Sequence, residues 1–291
     1  MEAFKKILFP TDFSVNAERS LVHAIRLAGI DHGEVIVQHV VDDYFGKHPH
    51  WATLFDIHEF QKYMDGYADS LFKKVMPKDA GDVRMRTVIS KGKAAEEIAN
   101  LARKEFVDLI VMGSAKGVIT NKVLRLTDRP VLAVSSRQPR PEDVGLYKLA
   151  KILVATDFSS HSERVVRYAF ELKRRFDCTI YMLYVIDSKH AIDWALRQGH
   201  LVNAREKMRE WAHNQLVNLT PDEFMADPKV IRLVQDGAAG DTIAAVAFDI
   251  GADLTILGTH EYGSLYKHLI GTTTDTLLSK TSTPVLAVKL G

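Results

Sequence analysis

Cysteine is almost missing: Cys178 is the one thiol in 291 residues, so the chain can close no internal disulfide, and that suits a reducing compartment. No apolar stretch reaches the roughly 20 residues that span a bilayer. Excess charge of either sign is lacking too. Lys and Arg number 38 against 37 Asp and Glu, a net charge of +1, which argues against a broad basic surface for nucleic acid. The first strand-like run begins at Lys6, leaving no room for the charged and apolar regions of a cleavable leader. There is no Walker-type Gly-Lys-Ser/Thr, no Ser-Gly-Gly after the first strand, no zinc-ligand spacing and no base–nucleophile pair. The histidines and acids of the segment His39, Asp42, Asp43, His48, His50 and His58 read as a surface loop, since Pro49 and Trp51 interrupt them. These absences leave a soluble, cytoplasmic protein with no metal site, no nucleic-acid or membrane partner and, at most, weak catalysis as the expectation.

What the chain does contain is itself, twice. Lys6-Ile7-Leu8 and Thr11-Asp12-Phe13-Ser14 return 145 residues later as Lys151-Ile152-Leu153 and Thr156-Asp157-Phe158-Ser159. The same offset carries Glu18-Arg19 onto Glu163-Arg164, Val40 onto Val185, Gly92 onto Gly237, Asp108 onto Asp253 and Gly113 onto Gly258. Beyond Gly113 the offset becomes 154, with Pro130-Val131-Leu132-Ala133-Val134 matching Pro284-Val285-Leu286-Ala287-Val288. The first copy therefore lacks nine residues somewhere between Gly113 and Pro130. A repeat this long marks two tandem domains, not a short-period solenoid. The boundaries expected are 1–135 and 150–291, joined by a proline-bearing connection over 136–149.

Within each copy, short apolar runs alternate with amphipathic helical stretches. In the first, Lys6–Phe9, Glu34–Val41, Val83–Ile89, Leu109–Met112 and Val131–Val134 read as strands. Helical faces appear at Ala17, Leu21, Ala24, Ile25 and Ala28; at Phe60, Met64, Tyr67, Leu71 and Val75; at Ala94, Ile98, Leu101 and Ala102; and over Asn121–Leu126. The second copy repeats this order, with one long helix expected over Ile192–Leu219, carrying Trp211 as a packing residue, and shorter ones over Asp241–Ile250 and Thr274–Ser279. Near-continuous apolar strands between such helices imply parallel sheets covered on both faces. The fold class expected is α/β: two tandem doubly wound, Rossmann-like domains. Ligands of such sheets sit beyond the carboxyl ends of strands where the winding reverses. That places attention on the loop after strand one of the second copy, Thr156–Ser159, and the loop after strand four, Thr259–Thr273. A strand leading through a Gly/Thr-rich loop into a helix is how α/β folds present backbone N–H groups to phosphate.

These features together resemble the universal stress protein family in its tandem two-domain form, whose units have the adenine nucleotide α-hydrolase-like fold. The resemblance rests on the Thr-Asp-Phe-Ser turn, the Asp-Leu-x-x-x-Gly strands at Asp108–Gly113 and Asp253–Gly258, and the terminal Pro-Val-Leu-Ala-Val strands. It implies ATP or a related adenine nucleotide as cofactor. ATP-binding members carry Gly-x-x-Gly, nine residues, then Gly-Ser/Thr. Gly258 supplies the first glycine and Gly271-Thr272 the last pair, while Glu261 stands at the second glycine. The resemblance places Ala155, Asp157 and Ser159, with the backbone of Val185 or Ile186, about the adenine. It sets Gly258, Gly271, Thr272 and Thr273 about the phosphates. The first copy, whose Gly113-Ser114-Ala115-Lys116-Gly117 runs straight into Val118, is expected to bind no nucleotide. A bland alternative stands beside each residue: Asp157 and Ser159 form a turn and cap a helix, and Gly258 ends a strand. At the level of the chain the alternative is an interaction or scaffold protein of the same fold, with a slow ATPase a third reading. The resemblance also implies that the final strands, Val131–Val134 and Val285–Val288, pair with each other as an intramolecular pseudo-dimer, with a further homodimer open.

Overall fold

The computed structural model describes residues 4–41, 57–75, 82–114, 118–135, 149–159, 162–187, 203–259 and 272–289. The chain divides into two compact units, residues 2–147 and 148–290. All of the expected connection over 136–149 except Leu149 lies outside the described residues.

In the first unit the elements are β1 (Lys6–Pro10), α1 (Val15–Gly29), β2 (Glu34–Val41), α2 (Ile57–Val75), β3 (Arg84–Lys91), α3 (Ala94–Lys104), β4 (Leu109–Ser114), α4 (Val118–Leu126) and β5 (Val131–Ser135). The second has β6 (Lys151–Ala155), α5 (Ser162–Arg175), β7 (Thr179–Ile186), α6 (Ala204–Asn218), β8 (Val230–Asp236), α7 (Ala239–Asp249), β9 (Leu254–Thr259), α8 (Thr272–Lys280) and β10 (Val285–Lys289). Within the first unit the strands lie in the order β3-β2-β1-β4-β5, and within the second β8-β7-β6-β9-β10. Every pairing inside each unit is parallel. The winding thus reverses between β1 and β4, and again between β6 and β9.

Parallel strands need crossover helices on both faces, and the first unit shows why its strands are so apolar. Ile7, Leu8 and Phe9 are fully buried. On β2 the neighbours Gln38 and His39 point to opposite faces: Gln38 Nε2 donates to the carbonyl of Glu97 on α3, while the His39 ring lies 5.4 Å from Phe60 on α2. Helix α1 starts at Ser14, whose Oγ accepts the Ala17 N–H at 3.3 Å. Its expected inner face, Ala17, Leu21, Ala24, Ile25 and Ala28, is buried. On α2 the buried centre is Met64 with Ala68, and Phe60 and Tyr67 flank it half-exposed.

The repeated Asp108/Asp253 has a structural job. Asp108 Oδ2 accepts the Lys6 N–H at 2.8 Å, and Asp253 Oδ2 accepts both the Ala150 and Lys151 N–H groups at 2.8 Å. A carboxylate at the entry of the fourth strand thereby holds the first residues of the strand beside it. Gly92 and Gly237 are required by their backbone, with φ of 143° and 146°. A Cβ on Gly237 would also collide with Thr242 Oγ1.

Several element bounds differ from expectation. The helix expected over Ile192–Leu219 starts at Ala204, because Asn203 has φ 57° and ψ 27°, a left-handed conformation that a right-handed helix cannot include. Residues 188–202, with Trp194, lie outside the described residues. Helix α4 begins at Val118, three residues before Asn121, and α8 at Thr272, two before Thr274. Helix ends are set by hydrogen bonds that side-chain periodicity does not register.

Candidate functional site

The Thr-Asp-Phe-Ser turn is built the same way in both units. Thr156 N–H donates to the Leu183 carbonyl at 3.0 Å, extending the β6–β7 ladder by one residue. Thr156 Oγ1 then accepts the Phe158 N–H at 3.2 Å, and Asp157 Oδ1 accepts the Ser159 N–H at 3.0 Å. In the first unit Thr11 donates to Gln38 at 2.8 Å, and Phe13 and Ser14 donate to Thr11 Oγ1 and Asp12 Oδ1, each at 3.0 Å. The central phenylalanines are left-handed, at φ 61° for Phe13 and 58° for Phe158. A non-glycine residue held there costs on the order of 1 kcal/mol, which the two side-chain bonds to the turn help offset. Asp157 and Ser159 therefore form the turn. Ser14 caps α1 directly, whereas the helix following Ser159 is described from Ser162.

Phe158 anchors the turn in an aromatic trio. Its ring stacks on Tyr184 at 4.5 Å and meets Trp211 of α6 edge-on at 5.3 Å. Tyr184 and Trp211 stand 6.1 Å apart at 78°. Trp211 is indeed a packing residue, and what it packs against is this turn. Burial, with the Asp157 carboxylate adding to it, raises the Tyr184 phenol above its ordinary pKa, so the ring stays neutral beside that charge.

Register places the other expected residues. Ala155 pairs with Leu183 on one side and Leu257 on the other, at the carboxyl end of β6. Gly258 and Thr259 continue β9 one and two residues past Leu257, and Val185 and Ile186 continue β7 two and three past Leu183. All lie at the carboxyl ends of their strands, beside or at the β6/β9 pair where the winding reverses. Alternation along a parallel strand separates Val185 from Ile186. The Leu183 carbonyl faces β6, so that of Val185 faces the same side, beyond the end of β6. The Ile186 carbonyl accepts the Gly237 N–H at 3.1 Å on the β8 side, and the Ile186 side chain is buried. Only Val185 of the pair turns its backbone toward the space beyond β6.

Thr272 and Thr273 open α8, and Gly240 of α7 lets that helix pack close: a Cβ there would stand 2.7 Å from Thr276 Cβ and 3.0 Å from the Thr273 carbonyl. Gly271, Glu261, Gly263, Lys267 and His268 lie outside the described residues. The two units differ most in the connection here. Residues 115–117 join β4 to α4, whereas 260–271 join β9 to α8. Gly113, the counterpart of Gly258, has a packing role of its own, since a Cβ on it would approach the Asn16 carbonyl oxygen to 2.9 Å and Ser20 Oγ to 3.1 Å. Glycine lets α1 press onto β4.

Among the described residues no three His, Cys, Asp or Glu side chains are grouped to hold a metal. Of the His/Asp segment, Asp42, Asp43, His48 and His50 lie outside them. His39 places Nδ1 at 2.8 Å from the Thr11 carbonyl, where an Nδ1–H donates to it. Cys178 is buried, and burial pushes its thiol up to about 11. It is a protonated, inert thiol at neutral pH.

The sequence model of the Universal stress protein family matches residues 3–135 and 148–289. The chain belongs to the universal stress protein family. Universal stress protein MJ0577 of Methanocaldococcus jannaschii is 30% identical over 156 residues, covering 46% of this chain and 96% of its own. A single-unit relative thus corresponds to about half of this tandem chain. A universal stress protein from Archaeoglobus fulgidus has a solved structure that superposes with a TM-score of 0.69 at 18% identity, over 99% of this chain and 97% of its own. A putative universal stress protein from Pseudomonas aeruginosa UCBPP-PA14 gives a TM-score of 0.62 at 19% identity, over 99% and 94%. At such identities the likeness is one of fold: this universal stress protein shares its paired α/β architecture with both.

Two features of the site escaped the sequence reading. The Phe158–Tyr184–Trp211 trio joins residues far apart in the chain. The Asp253 carboxylate was visible as a repeated residue, but its partners at Ala150 and Lys151 were not.

Proposed function

We propose that this universal stress protein binds one adenine nucleotide, ATP or a close relative, in its second domain, in the crevice where the winding reverses between β6 and β9. The reading places Ala155, Asp157 and the Val185 backbone at the base, with Ser159 closing the turn and Ile186 supporting Val185 from the core. Gly258, Gly271, Thr272 and Thr273 then hold the phosphates through backbone N–H and hydroxyl groups. The observation that carries it is the twelve-residue connection 260–271 opening from Gly258 and Thr259 and ending at the amino end of α8, against three residues at the same point of the first unit. The first domain then serves as structural partner, and the output is a change of conformation or of partner binding in the stress response that the family name implies. Hydrolysis is slow and incidental in this reading, because the sequence supplies no base–nucleophile pair. A cytoplasmic location fits the single buried cysteine, and among the described residues no helix is long and apolar enough to cross a membrane.

One sequence feature favours the second reading, a nucleotide-free scaffold. Glu261 occupies the second glycine of the family pattern and sets a carboxylate beside the phosphate path. The deciding experiment is acid extraction of the purified protein for co-purified nucleotide, followed by calorimetric titration of the apo form with ATP. Saturable binding that Asp157→Ala weakens and Asp12→Ala leaves unchanged supports the single-site reading. No saturable binding in the wild type refutes it in favour of the scaffold, and loss on Asp12→Ala moves the site to the other domain. The same proposal includes a pseudo-dimer through the final strands, supported by their apolar sequences. Removing 284–291 is then expected to expose the partner strand and promote association; an unchanged, equally stable monomer rules the pairing out.

A further inference from the structure

We infer that the first unit carries a site for a small organic cation of the quaternary ammonium kind on the outer aromatic face of α2. Phe60, Tyr63 and Tyr67 recur at helical spacing along one side of α2. Phe13, from the turn after β1, meets all three at steep angles, with centroid separations of 6.5, 6.0 and 4.7 Å. Phe60 and Tyr67 lie nearly parallel to Tyr63 at 6.1 and 6.4 Å. Tyr63 itself remains 58% exposed, the most open ring of the group.

Among the described residues, acidic groups stand beside this face. The Tyr67 hydroxyl donates to Glu18 Oε1 at 3.2 Å. Burial first, then Glu18, Tyr63 and Asp12, raise the Tyr67 phenol above its ordinary pKa, which places the Asp12 carboxylate within electrostatic reach of the rings as well. Glu59 precedes Tyr63 by one helical turn and is exposed. Lys62, also exposed, is set about 100° round the helix from Tyr63.

Gly66 is the independent observation. It sits within the 19-residue helix, where glycine is unfavourable, and a Cβ built on it meets nothing within 4 Å. No close packing accounts for it, in contrast to Gly113 and Gly240. What it does is leave open ground three residues on from Tyr63. An exposed aromatic face, neighbouring acidic groups and a missing side chain together fit a compact cation resting on the ring, held by cation–π attraction. Among the described residues the corresponding helix of the second unit offers no such face: Trp211 of α6 is turned onto Phe158 and Tyr184.

The test uses choline chloride on the full chain, titrated by calorimetry at ionic strength matched with sodium chloride. The choline N-methyl resonance is followed by NMR in parallel, with neutral 3,3-dimethylbutan-1-ol as the isosteric control. Saturable choline binding is expected, with an upfield methyl shift from the ring current and much weaker binding of the neutral alcohol. Tyr63→Leu, which keeps the apolar bulk, is expected to weaken binding by roughly three- to thirtyfold, the range of one cation–π contact. Gly66→Leu is expected to block it by filling the space, with far-ultraviolet circular dichroism confirming that both variants fold. Asp157→Ala is expected to leave it unchanged. Equal binding of the alcohol, an unshifted methyl resonance, or an affinity indifferent to Tyr63→Leu in the folded protein would overturn the inference. So would the absence of saturation by choline. Loss of binding in Asp157→Ala would place the cation in the other domain and equally overturn it. None of these outcomes depends on whether ATP binds.

Discussion

Asp253→Ala removes the carboxylate that receives two main-chain N–H groups, those of Ala150 and Lys151, both at 2.8 Å. Hydrogen bonds to a charged acceptor contribute about 1.5–3 kcal/mol each when sheltered, and less when water can replace the acceptor. Lys151 is exposed and Ala150 half-buried, so the lower end of that range applies to both. The expected loss is about 2–3 kcal/mol in the second unit. Asp253→Asn keeps an acceptor oxygen without the charge and should recover roughly half, since charge-assisted bonds are about twice as strong as neutral ones. Asp108→Ala, whose carboxylate receives the Lys6 N–H, should cost about half as much in the first unit. Urea unfolding at neutral pH, followed by circular dichroism for the whole chain and, in a Trp51→Phe background, by tryptophan fluorescence for the second unit, measures all three. The reasoning is refuted if Asp253→Ala lies within about 0.5 kcal/mol of wild type, the range of an ordinary surface change. It is equally refuted if Asn proves as damaging as Ala.

Gly113→Ala should destabilise the first unit by about 1–3 kcal/mol, because its Cβ meets the backbone of Asn16, which can yield only by moving α1; an equal or higher unfolding midpoint would contradict this. Trp211→Ala should cost about 3 kcal/mol and loosen the Thr156–Ser159 turn, read as faster amide exchange at Phe158 and Ser159 with the equivalent Phe13 and Ser14 unchanged. Cys178 gives a pH dependence. Burial raises its thiol from the ordinary 9.0 to about 11 in the folded state, so both states are protonated below about pH 8 and its contribution to stability is full there. Between 9 and 11 only the unfolded thiol ionises, and stability falls by up to about 2.7 kcal/mol at 1.36 kcal/mol per unit. Cys178→Ala should lose less stability than wild type across that window, and identical slopes would show that the thiol is not held protonated.

Much of the architecture was legible because it was written twice. The inner face of α1 followed from spacing alone, since a helix buried on one side must repeat its apolar residues every three or four positions. The strands β1, β4, β5 and their counterparts were visible as continuous apolar runs, as strands covered on both faces require. Helix ends were read less well. Asn203 stops a helix through its backbone conformation, and α4 and α8 gain residues whose side chains carry no periodic signal. The site was legible in outline and not in roles. Asp157 stood out by repetition, yet only the hydrogen bond from Ser159 shows it closing a turn. Val185 and Ile186 are adjacent apolar residues in the sequence, and the direction of the β7 carbonyls distinguishes them.

The sequence by itself determined the duplication, the α/β class, the parallel strands and the nine-residue inequality between the copies, because each is a matter of order, periodicity or count along one dimension. Tertiary structure alone decided which residues hold the chain together: Asp253 gripping the start of β6, Gly113 admitting α1, Gly240 admitting α8, Phe158 locked between Tyr184 and Trp211. Those roles depend on which atoms approach within a few ångströms across 26 to 103 residues of chain, and closeness of that kind has no signature in local pattern.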